Sequence, residues 1–156
     1  RAAQGSGGSL ELTMAGGLFE TNRIILLHKQ ATSARVRIFV HAYGGICGFA
    51  GLADPLEVTE AAAGDVVTLP RAVVAAAAAE LGLDGHGLVG EADFARSARS
   101  AGRTIAIHLA RFTSIDPPFD LAERRGGRFI EMQAARTLPP NELDLLRAAY
   151  ETVLGG

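Results

Sequence analysis

Apolar and polar residues alternate most sharply over residues 35–43. Val36, Ile38, Val40 and Ala42 fall on one side of an extended chain, with Arg35, Arg37, Phe39, His41 and Tyr43 on the other. That period predicts a strand. Gly44-Gly45 can adopt positive φ, so the pattern continues into a two-residue hairpin with Ile46–Leu52 as its returning strand. The register would pair Ala42 with Cys47 and His41 with Gly48, which sends the thiol to the apolar side. The run Arg23-Ile24-Ile25-Leu26-Leu27-His28 does not alternate, and predicts a strand covered on both faces. Residues 103–112 alternate again, with Ile105, Ile107 and Leu109 opposite Thr104, Ala106, His108 and Ala110. A further strand is expected over 128–136, with Ile130, Met132 and Ala134 inward. Shorter ones are expected at Leu10–Met14 and Leu56–Glu60, and Val66–Leu69 leads into Pro70.

Helical signals come later. Pro70 and Gly82 bracket an alanine-rich helix at Arg71–Leu81. The spacing of Arg96 and Arg99 predicts a second helix at Glu91–Ala101, stopped by Gly102. Pro139-Pro140 opens a third, whose stripe is Leu146, Ala149, Tyr150 and Val153 and whose end is Gly155. Between them, Asp116-Pro117-Pro118 and Arg124-Arg125-Gly126-Gly127 bracket an expected surface loop. Together these elements predict an α+β fold: a mostly antiparallel sheet of five or six strands with about three helices packed on one face. Residues 1–9 are small and glycine-rich, and predict a flexible tail ahead of a single α+β domain over 10–156.

Composition narrows the classes of function. Hydrophobic residues make up 48% and charged residues 21%, the balance of a chain that buries a core. A net charge of −2 argues against general affinity for nucleic acid or an anionic membrane. No apolar run approaches the ~20 residues that cross a bilayer. The single cysteine, Cys47, excludes an internal disulfide and suits a reducing, cytoplasmic location. All fifteen basic residues except Lys29 are arginine.

Few sequence motifs point to chemistry. Neither a Walker A sequence nor a GxGxxG turn before a helix is present, so no cofactor is expected. His28, His41, His86 and His108 are dispersed without metal-ligand spacing, so no metal is expected. Glu91 with Asp93, and Asp116 with Asp120, have nothing that separates them from solvated loop charges. Val67-Thr68-Leu69-Pro70, the following helix, Leu81-Gly82-Leu83 and Gly85 are similar to half of the swapped-hairpin transition-state regulator motif. That likeness implies DNA binding, but alanines replace the basic residues usual along the helix and leave only Arg71. Nucleic acid is therefore not the expected partner.

The best lead is the face carrying Arg35, Arg37, Phe39, His41 and Tyr43. Arginine can fork a carboxylate or phosphate, the rings can stack, and His41 or Tyr43 can add a directional hydrogen bond. The same set would also suit a homodimer interface or a merely hydrated surface. The expected function is a non-enzymatic module, expected as a homo-oligomer, that binds a small anionic ligand or a protein partner through this face. The alternative is a small enzyme working through Cys47 or His41, with a base from a distant strand such as that of His108.

Overall fold

Asn22–Lys29 (β1) has no polar side because it lies in the middle of the sheet. It runs parallel to Arg103–Phe112 (β6) on one edge and antiparallel to Val36–Val40 (β2) on the other. Ile24 to Leu27 are consequently sealed from solvent on both faces. The computed structural model describes residues 17–52, 56–60, 70–94, 96–100 and 103–155. Its strands follow the order β3-β5-β6-β1-β2-β7, where β3 is Leu56–Glu60, β5 is Arg96–Ser100 and β7 is Arg128–Ile130. Every pairing except β1 with β6 is antiparallel. A seventh strand, β4 (Leu88–Gly90), pairs with the C-terminal end of β6, while β5 pairs with its N-terminal half. Among the described residues, no helix is long and apolar enough to cross a membrane.

Strand parity divides the interior into two cores. Ile25, Leu27, Val36, Ile38, Val40, Ile105, Ile107 and Leu109 pack beneath the helix Pro140–Gly155 (α3) through Leu145, Leu146, Ala149 and Val153. Ile24, Leu26, Phe39, Ala110 and Phe112 face the other way, beneath Pro70–Leu81 (α1) and Phe119–Arg124 (α2). The α+β class with a mostly antiparallel sheet is what the structure has, but the helices are shared between both faces rather than gathered on one. Helix α1 can lie close to the sheet because Ala76, Ala77 and Ala78 present so little bulk. It ends as its sequence predicts. Gly82 takes φ +76°, while the N–H groups of Leu83 and Gly82 reach the carbonyls of Ala78 and Ala79 at 2.8 and 3.1 Å.

Several local expectations are corrected. The segment read as a helix at Glu91–Ala101 contains β5, because β6 offers an open edge that pairs Arg96–Ser100 in register, and Ala98 then fills the core. Gly102, read as a helix stop, lies outside the described residues, but its neighbours Ser100 and Arg103 are paired. The expected surface loop contains α2, with Leu121 and Ala122 buried. The strand expected over 128–136 stops at Ile130, and Met132–Thr137 is a 3₁₀ helix that buries Ala135 and exposes Ala134. Ile46–Leu52 is not a returning strand either. Both edges of β2 are already taken, by β1 and β7, and the segment touches the sheet only where Gly48 bridges Ile24. The strand expected at Leu10–Met14, the lead-in at residues 66–69 and the tail at 1–9 lie outside the described residues.

Among the described residues Phe39 is the largest side chain with no exposure at all, and its ring meets Phe112, Phe129 and His41 edge-on. Phe39→Ala is expected to remove about 3–5 kcal/mol of stability. Urea unfolding of the two proteins measures this, and a loss below ~1 kcal/mol would deny Phe39 its central place.

Candidate functional site

The predicted parity holds within β2, but residues 41–43 turn away with Ala42 exposed, and the alternate face of 35–43 is not one environment. Arg35 is exposed and donates to the Glu131 carboxylate at 2.5 Å. Arg37 donates to Gln30 Oε1 at 3.2 Å and its guanidinium lies 5.7 Å from the centre of the Phe119 ring. Phe39 and His41 are buried in the second core. Only Arg35, Arg37 and the half-exposed Tyr43 reach the surface, so the five do not make one open face.

The chain turns one residue after β2. The backbone N–H of His41 donates to Gly45 O at 2.8 Å, and Gly44, at φ +95°, donates back to His41 O at 2.9 Å. The His41 ring then lies against Gly48, where an added Cβ would come within 2.5 Å of it. It meets Phe39 and Phe49 edge-on and stacks on Tyr43 with ring centres 6.1 Å apart. Burial, and secondarily the positive charge of Arg125, push its pKa down to about 4. The ring is neutral at pH 7.

Tyr43 points its hydroxyl inward. The O–H donates to Glu142 Oε2 at 2.8 Å and accepts from the backbone N–H of Cys47 at 2.9 Å. The other oxygen, Glu142 Oε1, accepts from Ile46 N–H at 2.5 Å. Glu142 stands in the first turn of α3 and is buried, so this one carboxylate ties the loop after β2 to the helix over the first core. Cys47 lies in that same core, away from the His41 ring. Burial first, and the Glu142 charge next, push its thiol pKa well up, with Arg23 opposing. Cys47 and His41 therefore do not form a thiolate pair.

His108, on β6, faces the second core. Its Nε2 sits 2.8 Å from Asn22 Oδ1, and burial lowers its pKa. It also lines a groove of about 670 Å³ between α1 and the strands β4 and β6. The groove forms where β5 gives up the edge of β6 to β4. Leu109 O, lying between the two partner strands, accepts Glu91 N–H at 2.9 Å. Val74, Ala75, Ala78 and Ala79 of α1 make one wall, with Leu88, Gly90 and Leu109 on the strand side. Among the described residues Arg71, Asp84, Glu91 and His108 are its polar groups, and Glu91 is ion-paired with Arg111. This hollow is not among the features expected from the sequence. Its signal was alanine at positions 75 and 79, exposed turns of a helix where long polar side chains are usual, followed by Gly90.

Among the described residues, no three His, Cys, Asp or Glu side chains converge in a way that could hold a metal ion. No family model matches the chain, and no curated protein is similar to it.

Three measurements follow from the buried groups. His41 protonates near pH 6.5 when unfolded but only at about 4 when folded, so the unfolded chain binds more protons between those values. Its contribution is complete above pH 6.5 and is lost as pH falls towards 4, by up to roughly 3 kcal/mol. Stability curves of His41→Leu and the unaltered protein should converge in slope above pH 6.5 and differ in this window; parallel curves throughout would refute the assignment. Removing the carboxylate in Glu142→Ala leaves the buried Ile46 N–H without an acceptor, while the Tyr43 hydroxyl keeps only the Cys47 carbonyl at 3.1 Å, and should cost about 1–3 kcal/mol. Cys47 should react with Ellman's reagent only on unfolding in the unaltered chain, and faster in this variant; equal thiol reactivity would show that Glu142 does not hold the loop.

Proposed function

We propose that the chain is a non-enzymatic binding module, and that its ligand is a small molecule with an apolar body held in the groove between α1 and β4–β6. The observation that carries this reading is the groove's size and wall. About 670 Å³ lies within the range of small-molecule sites, and small apolar side chains with a few polar groups line it. The face of Arg35, Arg37, Phe39, His41 and Tyr43 supports an anionic ligand less well. Its two surface arginines already have internal partners, and two of its rings are core. The catalytic alternative has less support still, because the Cys47 thiol is buried and held protonated in the other core from His41 and His108.

Nile red, an uncharged apolar dye, tests the reading. Its fluorescence should rise saturably with the unaltered protein. Ala75→Trp adds an indole at an exposed helical position on the groove wall, so the fold should persist while the space is filled. Affinity is expected to fall at least ~10-fold, the effect of about 1.4 kcal/mol, with a cooperative thermal transition retained. Equal binding by the folded variant would sink the proposal.

A further inference from the structure

The groove's preferred ligand chemistry can be read from one ring nitrogen, and this step rests on the groove reading above. Asn22 fixes the tautomer of that ring. Its side-chain N–H donates to the backbone carbonyl of Leu18 at 2.9 Å, and a carbonyl can only accept. The amide therefore has one orientation, with Oδ1 turned towards His108. That oxygen is an acceptor, so His108 Nε2 must carry the proton.

A neutral imidazole holds one ring proton, so Nδ1 of His108 is a bare acceptor. The neutral form is favoured here, since burial disfavours the charged ring. Among the described residues no donor reaches Nδ1, and the ring lines the groove. The neighbouring polar groups point the same way. Asp84 and Glu91 are acceptors, whereas Arg71, exposed at the start of α1, is the one cationic side chain among the described residues of the lining. A wall rich in acceptors repels an anion and leaves a donor on the ligand well placed.

We infer that the groove selects an uncharged apolar compound bearing an N–H or O–H group, which donates to His108 Nδ1 while its hydrocarbon body lies against Ala75 and Ala78. His108 would then be a specificity-determining residue, oriented by Asn22. An anionic group would instead meet the Asp84 and Glu91 carboxylates.

Indole and N-methylindole separate the possibilities, since they share an apolar body and differ in the single donor. The full chain should bind indole about fivefold more tightly, the worth of one net hydrogen bond. In His108→Ala the preference should disappear while N-methylindole affinity changes little. Loss of the Asn22 partner could unfold that variant, so nitrogen NMR of the unaltered protein gives a second reading. His108 should be the neutral tautomer protonated on Nε2, and its Nδ1 resonance should move on adding indole but not N-methylindole. Equal binding of the two compounds, an unmoved Nδ1 resonance or a proton on Nδ1 would overturn the inference and leave the groove reading standing. Binding of neither compound, in a protein that also fails to take up Nile red, would overturn both.

Discussion

The parallel contact between β1 and β6 is the constraint from which the rest of the structure follows. Asn22 to Leu27 pair with Ala106 to Arg111, and the two strands are joined by no local turn. A parallel neighbour needs a long crossover and cover on both faces. The intervening chain supplies both. It carries β2 along the other edge of β1, α1 over one face, and β5 along the outer edge of β6. Helix α3 arrives last and closes the opposite face. A hydrophobic strand of this kind cannot remain at an edge, because its apolar side chains would stand in water on both sides. The two cores are thus consequences of one sequence, Ile24-Ile25-Leu26-Leu27, with no polar member.

The same constraint explains why β2 ends in a loop that needs anchoring. With β1 on one edge and β7 on the other, the chain after Val40 has no ladder left to join. Its backbone donors must be satisfied elsewhere. Glu142 supplies the missing acceptor to Ile46 and the Tyr43 hydroxyl bridges to Cys47, so a buried carboxylate does the work a strand partner would have done. Tyr43 and His41 look like site residues in the sequence because they are polar aromatics beside glycines. In the fold those glycines make room for the rings themselves. Gly48 lies under His41 and Gly51 beside Tyr43.

What was legible in the sequence was whatever depended on period and on chain-terminating residues. Strands β1, β2, β3 and β6, and helices α1 and α3, are set by apolar runs, alternation, Pro70, Gly82 and Pro140; Cys47 and Phe39 do face opposite cores, but the hairpin register that put the thiol there does not form. What was not legible depended on which edge was free. Arg96–Ser100 has the composition of a helix, and only the unpaired edge of β6 makes it a strand. The hairpin at Gly44-Gly45 failed for the converse reason, since the edge it needed was occupied. The groove was invisible for a related cause, because a hollow is made by small residues on elements distant in sequence, here Ala75, Ala78 and Gly90, and no local pattern marks their meeting.

The three buried histidines show how a candidate site can be distinguished from core. His28 and His108 are held in the same way, each with Nε2 2.8 Å from an oxygen acceptor that requires the proton there. In His28 the remaining nitrogen is sealed in the interior without a partner, and in His41 Nε2 is sealed likewise. An orphaned buried acceptor carries a desolvation cost of about 1–3 kcal/mol and offers no ligand a way in. Such a ring is retained for its shape, as the edge-on contacts of His41 with Phe39 and Phe49 indicate. His108 differs in what lies beside it. The same fixed tautomer borders a hollow, so its free acceptor is available to whatever enters. Burial and an unusual pKa are common to His41 and His108; access is what separates a chemical group from a packed one.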